Sequence, residues 1–169
     1  KAYTDAMNQT APAAKSAAIE AYLTAFPQSC VKLPTLVILM QTYAAANDAA
    51  KTVDTADRVL QLDPTNLRAL TFEVYFRNAQ AAALQDAAAK QAALDQAASY
   101  AQKGLTAPKP ADISADDFKK LQDAAFPVFY SVIGYDALLK KDSATAIDAY
   151  KKELASVPEA QTKTPGQYL

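Results

Sequence analysis

The chain contains no histidine, a single cysteine and only three glycines among its 169 residues. Without histidine the commonest general base is missing, and no nucleophilic triad built on an imidazole can be assembled. One cysteine, Cys30, forms no internal disulfide, and alone it makes no zinc site. No histidine or cluster of bases stands near it in sequence to activate the thiol. The expectation for Cys30 is therefore a small buried apolar residue. Gly104, Gly134 and Gly166 are too scattered for a glycine-rich phosphate loop. The 17 basic and 18 acidic residues leave a net charge of -1. That provides no basic surplus to displace counterions from phosphates, so a nucleic-acid partner is not expected. The longest apolar run, Leu36-Val37-Ile38-Leu39-Met40, is far too short for a membrane span. No secretory signal is visible, and the first residue is Lys1, from which an upstream segment removed or lying outside this sequence is expected.

What is abundant is alanine, the strongest helix former. Helices packed closely through small side chains are the expectation. Proline and polar turns cut the chain into helix-length blocks. Residues 12–26 carry Ile19, Tyr22, Leu23 and Phe26 at spacings of three and four. Residues 33–46 carry Leu36, Leu39, Met40 and Tyr43. After the break at Asn47-Asp48, residues 49–62 carry Val53, Ala56, Val59 and Leu60. Asn66 is placed to cap the next helix. Two helices are expected between 67 and 107, with a turn near 79–84. Ser114 and Asp117 have capping-box spacing at the start of a helix over about 115–140. Pro127 is expected to kink or divide that helix. A turn at Lys141-Asp142-Ser143 precedes an amphipathic block, 144–156. Thr164-Pro165 has the form of a further helix start that Leu169 leaves incomplete.

Two segments repeat one another. Residues 33–66 place Leu36, Leu39 and Tyr43 on a first helix, Asn47-Asp48 at the turn, Val59-Leu60 on a second and Asp63-Pro64 at the end. Residues 127–160 place Tyr130, Ile133, Gly134 and Ala137, then Asp142, then Ala146, Tyr150, Leu154 and Pro158. Positions 36 and 130, 48 and 142, and 64 and 158 share one offset of 94. Small residues at Gly134, Ala137 and Ala146 suit close backbone approach, and large ones at Tyr130 and Tyr150 are expected to fill the space between one helix pair and the next.

These residues resemble the tetratricopeptide pattern of Leu-Gly-Tyr on one helix and Ala, aromatic and Pro on the next. Met40 departs from it where glycine is usual, as do Thr52 and Ala56. The middle segment matches only at Ala97, Ala101, Gly104 and Leu105. Measured against two 34-residue units, it carries roughly 26 extra residues. The resemblance implies an all-α, right-handed superhelical array of antiparallel helix pairs. One domain over 1–169 would hold units at about 1–32 (partial), 33–66, 67–126 with insertions and 127–160, with a further start at 164–169. The ending Phe26-Pro27-Gln28-Ser29 also resembles repeats of bacterial exported proteins, which points to a periplasmic or exported location over a cytoplasmic one.

A non-catalytic role follows as the expectation, with no cofactor and no metal. Carboxylates at Asp116-Asp117, and Glu153 near Asp148, read as solvated helix surface and helix-start charge. Lys140-Lys141 and Lys151-Lys152 either form a basic patch or merely sit at helix ends, where cations are favoured. Such an array offers a concave face lined by first helices. By register that face carries Gln41 with Val37 and Ile38, then Arg68, Phe72, Tyr75 and Asn78, then Val132 and Tyr135. The expected partner is a protein or peptide, with Phe72 and Tyr75 as anchors and Arg68 as a charged contact. Packing of those two aromatics into the core is the competing expectation. Self-assembly into a homo-oligomer, or service as an accessory domain of a larger protein, are the alternatives.

Overall fold

Local turn chemistry sets the helix boundaries. A computed structural model describes residues 1–111 and 113–157. They form eight helices: α1 (Ala2–Met7), α2 (Pro12–Ala25), α3 (Lys32–Ala45), α4 (Ala49–Leu62), α5 (Leu67–Ala83), α6 (Ala87–Leu105), α7 (Ala115–Leu139) and α8 (Ser143–Ser156). Among the described residues there is no strand. The expected start at 164–169 lies outside them.

The caps fall where side-chain chemistry puts them. Asp48 Oδ1 accepts from Lys51 N–H at 3.1 Å, and Asn66 Oδ1 accepts from Ala69 N–H at 3.2 Å. Ser114 Oγ accepts from Asp117 N–H at 3.0 Å and donates to that aspartate's Oδ2 at 2.8 Å. Asp86 Oδ1 accepts from Ala89 N–H at 2.7 Å and opens α6. The turn before α6 therefore lies at 84–86 and not at 79–84. Ala79, Ala81, Ala82 and Ala83 extend α5, and Ala81 is fully buried. Pro127 does not divide α7, which runs unbroken through it. Proline in a helix interior costs about 3 kcal/mol. Buried packing on both sides, at Phe118 and Ala125 before it and at Phe129 after it, offsets that cost.

The chain groups into two compact units, Lys1–Phe72 and the part from Glu73 onward. The boundary falls inside α5. In the first unit α1 packs on α2, α2 on α3 and α3 on α4. Its core comprises Ile19, Leu23, Leu36, Leu39, Met40, Tyr43, Ala56 and Val59, in agreement with the stripes read on α2, α3 and α4. Thr35, Thr52 and Thr55 are also fully buried there. Each hydroxyl donates to the carbonyl one turn back, at 2.6–2.7 Å, so no donor is lost. Phe26 departs from its expected stripe and is 48% exposed, because α2 ends before it. Cys30 is exposed as well, in the loop between α2 and α3, which corrects the expectation of burial.

In the second unit α6 packs on α7 and α7 on α8. Leu94, Ala97, Ala98 and Ala101 of α6 are buried, as are Phe129, Val132 and Ala137 of α7 and Ala146 and Ala149 of α8. A Cβ at Gly104 would collide with the Phe129 ring, so the missing side chain lets α6 and α7 close on each other. Gly134 plays the same part between α7 and α8. Tyr150 lies against Gly134 inside its own hairpin, not in a space between helix pairs.

The offset of 94 reappears in backbone geometry. Asn47 and Lys141 both adopt positive φ, 56° and 62°. Asp48 and Asp142 follow with φ -87° in both and ψ 82° and 81°. Each aspartate accepts from the N–H three residues on at 3.1 Å, and its own backbone N–H donates five residues back, to Tyr43 O and Ala137 O respectively. The α3–α4 and α7–α8 hairpins thus turn in one way.

Candidate functional site

The residues assigned to a binding face divide between the units. Gln41, Arg68 and Phe72 belong to the first; Tyr75, Asn78, Val132 and Tyr135 belong to the second. Gln41 is exposed on α3, while Val37 and Ile38 are half-buried against the core. Arg68 is half-buried near the start of α5. Phe72, one turn on, packs on the first unit's core, which is the competing expectation for that ring.

Tyr75 behaves differently. It is 60% exposed and meets Phe76 edge-on, with ring centroids 5.3 Å apart. Asn78, on the next turn, is half-buried. On α7, Tyr135 is half-buried, with the Lys90 ammonium 5.8 Å from its ring centroid. Val132 is buried, at 2% exposure. It follows Phe129 by three residues, so it lies on the helix stripe that faces the core.

Beside these residues runs a polar network that the sequence did not reveal. Gln91 Nε2 donates to Asp95 Oδ1 at 2.8 Å and to Asp136 Oδ1 at 2.6 Å. Lys140 Nζ lies 2.8 Å from both Asp95 Oδ1 and Asp136 Oδ2. The Lys140 hydrogen bond, seconded by Gln91, holds the Asp95 carboxyl below its ordinary value. Asp136 and then Asp95 push Lys140 upward. The network ties α6 to α7. Its i,i+4 half, Asp136 with Lys140, is legible in the sequence. Its other half joins residues 45 apart and is not.

The lysine pairs do not make an open basic patch. Lys140 is held by two carboxylates, and Lys152 Nζ meets Asp148 Oδ2 at 2.7 Å. Glu153 is half-buried, where solvated surface was expected, and burial raises its carboxyl. On α5, Glu73 is fully buried and accepts from Arg77 Nε at 2.6 Å. The Arg77 guanidinium also donates to Gln96 and sits 5.2 Å from the Tyr100 ring centroid.

Among the described residues no three of His, Cys, Asp and Glu come together as a metal site, and no helix is long and apolar enough to cross a membrane. The sequence also missed a cavity of about 260 Å3 in the first unit, lined by Leu23, Thr24, Lys32, Leu36, Arg58, Gln61 and Leu62. The residues of the proposed binding face are all absent from its wall. The chain matches no known family model and no curated protein.

Proposed function

We propose that this chain is a non-catalytic protein-interaction scaffold of the tetratricopeptide type, with Tyr75 as an anchor for a partner protein or peptide. The carrying observation is the state of Tyr75: a large aromatic, 60% exposed, on a helix that buries Leu70, Glu73 and Val74 just before it. Aromatic rings carry a large share of binding energy at protein interfaces. The ring meets Phe76 in an edge-on contact, which reduces the freedom lost on binding. The recurring hairpin turn at an offset of 94 supports the repeat reading.

The test compares the intact chain with Tyr75→Ala in pull-downs from a lysate of the source organism, alongside melting curves. Truncating an exposed anchor costs about 2 kcal/mol of binding, roughly a thirtyfold loss of affinity. The proposal expects partners lost at unchanged Tm. Partners retained by a stable Tyr75→Ala variant would refute Tyr75 as the anchor.

A second reading is self-association. Ile147 and Leu154 lie two turns apart on α8, are 55% and 52% exposed, and flank the exposed Lys151. A concentration-dependent dimer in sedimentation velocity at micromolar protein, abolished by Ile147→Glu, would favour this reading over the first.

A further inference from the structure

The cavity in the first unit lies where the last turn of α2, the first turn of α3 and the last turn of α4 converge. At about 260 Å3 it falls below the roughly 300–1,000 Å3 of sites for drug-sized ligands. One side chain and a flanking polar group is the load that suits it. Its apolar wall is aliphatic: Leu23 and Leu36 are 5% and 1% exposed, and Leu62 is 47% exposed at the rim. Its polar wall holds Thr24, Gln61 and two cations, Lys32 and Arg58, with no acidic residue.

Those two cations are not equivalent. Arg58 is already neutralised, since its Nη1 and Nη2 donate to the two Glu20 oxygens at 2.9 and 3.3 Å. Lys32 is half-buried and has no ion-pair partner among the described residues. Helix ends do not reverse the sign. One helix start and two helix ends meet here, each worth about half a charge, which leaves about half a negative charge against the full charge of Lys32. The wall therefore keeps a net positive charge of about half a unit, centred on Lys32, next to its leucines.

We infer that this cavity binds an acidic aliphatic segment of a partner protein, in which a leucine-like side chain enters between Leu23, Leu36 and Leu62 and a neighbouring aspartate or glutamate carboxylate pairs with Lys32. This inference rests on the reading of the chain as an interaction module. It adds a site on the first unit, apart from Tyr75, and a chemistry for what binds there.

The probes are the capped peptide Ac-Ala-Leu-Asp-Ala-NH2, its Leu-Asn counterpart and free 4-methylpentanoate, each titrated into the 15N-labelled full chain. The expected result is saturable shifts of the Lys32, Leu36 and Gln61 amides with the Leu-Asp peptide, at roughly millimolar Kd for so small a ligand. Affinity should fall at least about tenfold with the Leu-Asn peptide, and equally when Lys32→Gln meets the Leu-Asp peptide, because a charge-assisted hydrogen bond is lost. Equal shifts with both peptides, or no shifts around the cavity, would overturn the inference. Shifts around Tyr75 without shifts at the cavity would overturn it too, while leaving the interaction-module reading standing. Binding of 4-methylpentanoate but not of the Leu-Asp peptide would mark a small-acid site and overturn the assignment to a protein partner.

Discussion

The ring of Tyr150 lies on the bare backbone of Gly134, so close that a Cβ added there would stand 2.9 Å from the ring carbons. This contact fixes how near α8 comes to α7. Burial, and after it the Glu153 carboxylate, raise the pKa of the Tyr150 hydroxyl. The consequences of this hairpin can be measured one residue at a time.

Gly134→Ala should destabilise the chain. Helix propensity favours alanine by about 1 kcal/mol, but forcing a methyl into an occupied site costs about 1–3 kcal/mol. The added methyl would stand 2.9 Å from Cε1 and Cζ of the half-buried Tyr150 ring, so the ring must shift, and overpacking is expected to outweigh propensity. Chemical denaturation should give a lower midpoint for Gly134→Ala, recovered in part by the double variant with Tyr150→Leu. A gain in stability for the single variant would show that the ring moves freely.

Lys141→Gly should stabilise. Lys141 holds φ 62°, a left-handed conformation that costs a side-chain-bearing residue about 1 kcal/mol and glycine almost nothing. The greater freedom of glycine in the unfolded chain offsets part of this, so a net gain of about 0.5 kcal/mol is expected. The equivalent change at Asn47 should gain less, because asparagine tolerates that region. A differential scanning calorimetry series over the two variants checks the order.

Lys140→Met should cost about 1–2 kcal/mol, since it leaves the nearly buried Asp136 and its neighbour Asp95 without their shared cation. The 47% exposure of Lys140 keeps the loss below that of a fully buried pair. The pH dependence follows from the shifts. Asp95 has a lowered folded pKa, so its contribution is present above its unfolded value, about 3.9, and is lost as pH falls through the folded one. Lys140 has a raised folded pKa, so its contribution is present below about 10.4 and is lost as pH rises through the folded value. Tm plotted against pH should flatten at both ends in Lys140→Met.

Glu153→Gln should raise Tm at pH 7. Burial raises the Glu153 carboxyl, with the Ser131 hydrogen bond opposing only in part. A raised acid pKa means that the folded state holds the proton more tightly, so stability falls as pH climbs from about 4.3 through the folded value. Glutamine removes that penalty at neutral pH. Below about pH 4 both forms are neutral, and the gain should vanish there.

Much of the helical frame was legible because its signals are local. Asp48, Asn66, Ser114 and Asp142 each satisfy a backbone N–H three residues on, a relation contained in a single turn of chain. The turn before α6 has the same local origin: Asp86 is the cap, and the alanines before it continue α5 to Ala83. The candidate face was legible only as a register. Tyr75, Phe72 and Val132 all follow from one spacing argument, yet one is exposed, one packs on a core and one is buried. Helical periodicity gives the angle of a side chain about its own axis and not what the next helix brings against it.

The sequence by itself determined that the chain is helical, where most helices start and stop, and that the turns at 47–48 and 141–142 are copies. These depend on backbone dihedrals and hydrogen bonds spanning a few residues, which the local side chains decide. Only the tertiary structure decided that Lys140 joins Asp95 to Asp136, that Gly104 admits the Phe129 ring, that Cys30 stays in the open, and that Lys32 lines one cavity with Leu23, Leu36 and an Arg58 already neutralised by Glu20. Each of these joins segments far apart in the chain or turns on what packs nearby. Their free energy comes from shape and charge meeting across helices, which no window of the sequence contains.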